Sequence, residues 1–386
     1  MPILFNPLFA SVAISHLMVD TFNSSRPVLL TYLGLSETQI ALISTIYIWA
    51  SALSQPFFGW LSDRIGPRWL ASGGVLWMTV FYTLALFLPG NTGLTCLIIA
   101  ALGSAAFHPV GAVQATLHGR EHLEGREATA ASLFFMMGQT GHFVGPMLTG
   151  LILARLGAPG LVIFSVISIP VGLAVARQLS ANKPHPENGS ASRAETAQWG
   201  VRAILALAVV AALQSWTQSN MITFVPKYLK DLGQSAATYG SIAGLFMGGS
   251  ALGNVIGGNL GDRYTKKYVI AIFLLLASVP IFVMSRIGWS GWLYLLIPMS
   301  GLFTGAVYSI VVVWAQRLIP GGMALASGLA MGFIFSVGAL GMLLTGPMAE
   351  TQGFPSVLVL SSGLVIAGAV IALGLPREAR STVKTR

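Results

Sequence analysis

The sequence predicts an all-α membrane protein whose twelve transmembrane helices form two pseudo-symmetric six-helix bundles. Three observations carry that prediction. Of 386 residues, 54% are hydrophobic and 9% charged, against about 25% charged in an ordinary soluble domain. Apolar runs of roughly 20 residues recur along the whole chain, each long enough to cross a hydrocarbon core about 30 Å thick as a helix. Landmarks in the first half return in the second at a fixed offset: Asp63-Arg64 and Asp262-Arg263 stand 199 residues apart, as do Pro27 and Pro226. A half-length duplication in a helical membrane protein points to two bundles with a substrate site near the midplane between them.

The first span, 8–31, carries Pro27, and the second, 38–61, runs into the basic turn GWLSDRIGPRWL. The third (69–89) and the fourth (92–117, with a His-Pro step) follow, then a glycine-rich fifth (128–154) and a sixth (158–177). Residues 178–200 combine Pro, Gly, Ser and charge, a linker composition. The division is therefore 1–177 for the N-terminal bundle, 178–200 for a cytoplasmic linker and 201–386 for the C-terminal bundle. The seventh span (201–225) contains a polar run, and the eighth (239–260) runs into GDRYTKKYVI. The ninth to twelfth cover 268–286, 291–316, 323–349 and 355–375. These runs are continuously apolar and rich in Leu, Ala and Gly, without the alternation of barrel strands. The first shows no small-residue cleavage site, so no cleaved signal sequence is expected.

Sixteen of the 21 Lys and Arg residues fall on the side of the termini and four on the other, with Arg26 inside a span. The positive-inside rule then places both termini in the cytoplasm of a plasma (inner) membrane. The net charge of +9 is spread over separate loops rather than gathered on one basic face, which argues against nucleic acid as a partner. The lone Cys96 excludes an internal disulfide. No phosphate-binding glycine loop with lysine, HExxH or GxSxG is present, so ATP hydrolysis and membrane hydrolase chemistry are not expected, nor is any enzyme activity or cofactor.

Gly59, Leu61, Ser62, Asp63, Arg64, Gly66 and Arg68 form a pattern that resembles the loop motif of the major facilitator superfamily, with Pro67 where a basic residue is usual. The resemblance implies the major facilitator fold, a monomer, and a gate braced by Asp63, Arg64 and Arg68, repeated by Asp262 and Arg263. SHLMVDTFNS (15–24), GSAAFHP (103–109) and AQRLIPGGMALASGLAMGF (315–333) resemble the fosmidomycin-resistance branch of exporters. Val110 stands where that branch usually carries a glutamate. Gly141, Gly145, Pro146 and Gly150 are similar to the antiporter motif of drug exporters, and Gly346-Pro347 echoes it; glycines four apart also serve plain helix contact.

The ionisable side chains inside spans are His16, Asp20, Arg26, His108 and His142, all in the first half. Charges at membrane depth are costly and mark pathways. His16 and Asp20 are four apart, and Asp20 and Asn23 three apart, so they share a helix face. Arg26 lies about 240° around from Asp20, with Asn23 within a turn of both. Asp20 is the expected proton carrier, aided by His16, His108 and His142: burial favours its neutral form and a nearby Arg26 its charged form, so a substrate on Arg26 would change its protonation. A static pair that fixes packing is the alternative. Arg26 suits a carboxylate, phosphate or phosphonate through its planar fork, unless it snorkels to the interface.

His108 and His142 have no metal-ligand spacing, and no metal is expected. Asn23, Arg26, His108, Gln139 and His142 are the candidate substrate residues of the first half. Trp216, Gln218 and Asn220, from the polar run of the seventh span, and Tyr308 in the tenth complete the set. The expected function is proton-coupled export, by antiport and alternating access, of a small drug-like or anionic compound, with import of an organic anion as the alternative.

Overall fold

The computed structural model describes residues 6–122, 127–179, 201–318 and 323–376. Twelve helices follow one another: α1 (Pro7–Tyr32), α2 (Glu37–Ile65), α3 (Pro67–Phe87), α4 (Gly90–His122), α5 (Glu127–Leu156) and, after a 3-10 turn at Ala158–Leu161, α6 (Val162–Gln178). The second series is α7 (Val201–Asp231), α8 (Ala236–Arg263), α9 (Lys266–Ile287), α10 (Leu293–Leu318), α11 (Met323–Gln352) and α12 (Phe354–Leu373). Each predicted span coincides with one helix to within a few residues. The largest extension is in α7, which continues to Asp231 because Lys227 pairs with Asp231 one turn on, at 2.6 Å. The predicted linker from residue 180 onward lies outside the described residues.

Local chemistry sets the helix starts. Asn6 caps α1 by accepting from the Leu8 and Phe9 amides, with Pro7 in the first turn. Ser36 and Gln39 form a reciprocal capping box at α2. Among the described residues, ten helices are long and apolar enough to cross a membrane; α1 and α5 stand outside that set. In α1 the reason is its polar run, which the fold encloses: His16, Asp20, Thr21, Ser24, Ser25 and Arg26 are all buried.

Lipid offers no hydrophobic drive for helix association, so close backbone approach through small residues does that work. A Cβ at Gly141 would strike the Leu17 carbonyl oxygen, and one at Gly145 would strike Ser24 Oγ, so α5 lies directly on α1. The repeat reproduces this contact, since Gly338 and Gly341 of α11 meet Ser215 and Trp216 of α7 in the same way. Because the obstacle at Gly141 is backbone, Gly141→Val is expected to cost about 3 kcal/mol or more. A thermal melt in detergent should show it as a clear loss of Tm, against little change for Gly73→Ala, which has open space around it.

The bundles touch through α5 on α8 and α2 on α11. On α2, Thr38, Thr45 and Trp49 bond to Glu350, Ala339 and Ser336 of α11 (3.2, 2.9 and 3.1 Å). On α8, Gly240, Gly244 and Gly248 receive Pro146, Met147 and Phe143 of α5. Lys227 pairs with Glu37 at 3.3 Å, and Lys230 donates to the Thr31 carbonyl at 2.8 Å. All these contacts lie in the half of the molecule remote from Pro7 and Leu373. Continuing down the same two faces, Leu53, Trp60, Leu252 and Val255 are 65, 49, 62 and 72% exposed. The halves are therefore closed at the end remote from the termini and part toward the end that carries them.

Candidate functional site: a carboxylate ringed by imidazoles

Asp20 lies twelve residues inside α1 from Tyr32, about 18 Å along the helix axis. Trp49 lies equally deep on α2, so Asp20 sits at the level where the contact between bundles ends. Three helices aim imidazoles at its carboxylate. His16 Nε2 is 3.1 Å from Oδ2, His142 Nε2 is 3.5 Å from Oδ2, and His108 Nε2 is 3.3 Å from Oδ1. Asp20 and His16 are buried, with side chains 5 and 4% exposed, whereas those of His108 and His142 remain 24 and 28% exposed. The i, i+4 spacing in α1 brings His16 to Asp20. His142 arrives because bare glycines let α5 close in: a Cβ at Gly138 would stand 2.5 Å from His16 Nε2 and 2.6 Å from Asp20 Oδ2; His108 comes from α4.

Tautomers follow from the backbone. His16 Nδ1 donates to the Phe134 carbonyl and His108 Nδ1 to the Ser104 carbonyl, both at 2.8 Å. A carbonyl can only accept, so each Nδ1 holds a proton and each Nε2 turned toward Asp20 is protonated only in the imidazolium form. Two neutral imidazoles facing an ionised carboxylate would set lone pair against lone pair. The arrangement requires at least one proton shared among Asp20, His16 and His108, held where His108 and His142 give access.

Asn23 is a bridge. Its amide donates to Asp20 Oδ1 and to Ser104 Oγ, each at 3.0 Å, and its carbonyl accepts from Tyr47 OH at 2.7 Å. Arg26 lies over the Tyr47 ring, 4.4 Å from its centroid. The Arg26 guanidinium is 5% exposed, its Nε has no hydrogen-bond partner, and no carboxylate among the described residues pairs with it. Asp20 and Arg26 are thus linked through Asn23 and Tyr47 without touching. Tyr47 was not singled out by sequence reasoning; a tyrosine in an apolar span carries no local signal of the helix it will face.

In the second half, register explains the absence of charge. Ser215 Oγ donates to the Ile334 carbonyl at 2.7 Å, as His16 Nδ1 does to Phe134, and Gly338 faces Ser215 and Ser219 as Gly138 faces His16 and Asp20. Serines occupy the repeat-equivalent places of His16 and Asp20. Asn220, expected at the substrate, is fully buried and holds three helices together by accepting from Thr345 Oγ1 (2.6 Å) and donating to Ser361 Oγ (3.2 Å). Trp216 packs against Gly341. Gln218 is engaged by Ser250 Oγ and Gln214 at 2.8 and 3.1 Å. Tyr308 is half-buried and stacks on the exposed Phe335, and Gln139 is half-buried on α5.

Of the expected gate residues, Arg64 stacks on Trp60 (4.0 Å) and Arg68 on Trp69 (5.2 Å), while Asp262 and Arg263 are exposed at the end of α8. The Asp63 side chain lies outside the described residues. Gly145 and Pro146 form the contacts of α5 with α1 and α8.

Comparison with known proteins gives a consistent placement. The family model of the Major Facilitator Superfamily matches residues 8–214 and 205–386. The fosmidomycin resistance protein of Escherichia coli (strain K12) is 28% identical, over 96% of this chain and 92% of that protein. The uncharacterized MFS-type transporter YfnC of Bacillus subtilis (strain 168) is also 28% identical, over 96% of this chain and 93% of its own length. Among solved structures, a bacterial homolog of the human lysosomal transporter Spinster superposes with a TM-score of 0.79 at 15% identity, covering 97% of this chain and 100% of the other.

Proposed function

Because the chain belongs to the Major Facilitator Superfamily, we propose that it is a secondary active transporter that exports a small anionic compound in exchange for protons. The observation that carries this reading is the pairing, at mid-membrane depth, of a carboxylate–imidazole cluster with a buried arginine that no carboxylate among the described residues pairs with. An unpaired buried cation is costly, and an oxyanion substrate offsets that cost when it binds. Asp20 with His16, His108 and His142 carries the exchanged proton, and Arg26 with Tyr47 receives the anion. Asn23 couples the two, since its amide and carbonyl join Asp20 to Tyr47.

The cleft opens toward the termini, which the distribution of Lys and Arg assigns to the cytoplasm. In this state His108 and His142, 24 and 28% exposed, face the open side, and an intracellular anion gains Arg26, buried more than a turn further along α1, as the side chains above Asp20 give way. Closing the exposed faces of α2 and α8, and parting the contacts at Lys227, Lys230 and Trp49, gives the opposite state of alternating access. One charge crossing 100 mV supplies about 2.3 kcal/mol, enough for a roughly fifty-fold substrate gradient per proton. The similarity to the fosmidomycin resistance protein supports efflux of a drug-like oxyanion.

The decisive experiment adds candidate phosphonates, phosphates and carboxylates to purified protein in weakly buffered detergent and follows pH. Antiport requires release of about one proton per bound anion; because an anion on Arg26 by itself favours a protonated Asp20, that release has to come from rearrangement of the cluster through Tyr47 and Asn23. Uptake of protons on binding would turn the reading to symport and import, and binding with no proton change would end the coupling proposal.

A further inference from the structure

The geometry points to a second ligand for the Asp20 cluster: a borderline divalent transition-metal ion, of which Zn²⁺ and Co²⁺ are the natural probes, held by His16, Asp20 and His108. His16 and Asp20 are one turn apart on α1 and His108 comes from α4, and each offers one donor atom, all three within 4.8 Å of one another. Two ligands on one zinc ion stand at most about 4.2 Å apart, given metal–ligand bonds of about 2.1 Å. Closing the set to the edges of a tetrahedral site, about 3.3 Å, takes up to about 1.5 Å of side-chain adjustment. His16 Nε2 lies 3.1 Å from Asp20 Oδ2 and His108 Nε2 3.3 Å from Oδ1, each close to the edge of a tetrahedral zinc site, about 3.3 Å, and a turn of the carboxylate is needed to present one oxygen to both. Two imidazoles and one carboxylate suit zinc, cobalt or iron and exclude magnesium and calcium, which require oxygen ligands.

A second feature points the same way. Ligating histidines usually fix their other nitrogen by donating to a carbonyl, which leaves a lone pair on the ligating atom. His16 does this to Phe134 and His108 to Ser104, both through Nδ1, so both Nε2 atoms are committed to the centre. His142 Nε2, 3.5 Å from Asp20 Oδ2 on the partly exposed side, stands ready as a fourth ligand or to give way to water. Asn23 holds the other carboxylate oxygen at 3.0 Å.

Metal and protons compete for the same lone pairs. The charged and titratable groups facing the site are His16, Asp20 and, more distantly, Arg26 from α1, His108 from α4, His142 from α5 and Tyr47 from α2. Ion binding expels whatever protons Asp20 shares with His16 and His108. Affinity should therefore fall about tenfold per pH unit of acidification for each proton displaced. On the transport reading given above, an ion there takes the place of the coupling proton.

The test uses full-length protein purified without a polyhistidine tag and titrated with Co²⁺ in detergent. The expected result is one intense visible d–d band of tetrahedral Co²⁺ per chain, removed by Zn²⁺, absent in His16→Gln and in His108→Gln, and accompanied by proton release into weak buffer. No band in wild type, or a band that persists in both variants, overturns the metal site. Wild-type protein alone decides the first outcome, so a variant that fails to fold does not shield the proposal. Proton release on anion binding without metal is measured separately and survives if only the metal site fails.

Discussion

Asp20→Asn is expected to abolish uphill, gradient-driven transport, by at least 100-fold in proteoliposomes, while exchange of substrate between two equal pools continues. The amide keeps the shape of the carboxyl and offers two N–H donors to the Nε2 atoms of His16 and His142, and its oxygen still accepts from Asn23. The surrounding packing has no reason to fail, so the variant should express and melt within a few degrees of wild type. What it cannot do is take up or lose a proton. Exchange needs only that the loaded carrier reorients, whereas net movement against a gradient needs the proton as well. Retention of full uphill transport would remove Asp20 from coupling. Loss of both activities with a normal melt would mean that Asp20 binds substrate instead.

The membrane architecture and the pairing of His16 with Asp20 were legible because both depend on short-range rules: apolar length for a span, and the 3.6-residue period for one helix face. The convergence of His108 and His142 on the same carboxylate was not legible. It depends on how α4 and α5 pack along α1, which for α5 is set by Gly138, Gly141 and Gly145 meeting α1 backbone and side chains. Gly141 and Gly145 read as part of an antiporter motif or as plain packing, and here their helix delivers a histidine. The run Gln214 to Asn220 was ambiguous for a related reason. Polar side chains in a span must face either water or a partner; a one-dimensional reading cannot choose between them, and Asn220 found Thr345 and Ser361. A repeat alignment would have helped, since the equivalence of Gly138 with Gly338 places Ser215 and Ser219 opposite His16 and Asp20 and marks the first half as the one with ionisable side chains at this level.

Arg26 supplies the other large effect, and it has two signs. Arg26→Met should raise Tm, because it replaces an unpaired buried cation with an apolar side chain of similar length. The same variant should lose anion binding by about 100-fold or more, since each charge-assisted hydrogen bond contributes about 1.5–3 kcal/mol and a bidentate oxyanion makes two. Arg26→Lys keeps the charge but not the planar fork over Tyr47, so an intermediate loss, about tenfold, is expected. An arginine that only braced the helices would behave oppositely, with Tm falling and binding following it down. Tyr47→Phe separates binding from coupling: the ring beneath Arg26 remains, while the hydrogen bond to Asn23 Oδ1 is lost. Anion affinity should hold within a few fold and the number of protons released per anion should drop. Calorimetry and weak-buffer pH measurements on the same samples read both quantities. If affinity and proton release fell together in Tyr47→Phe, the link between the two sites would run through the anion itself rather than through Asn23.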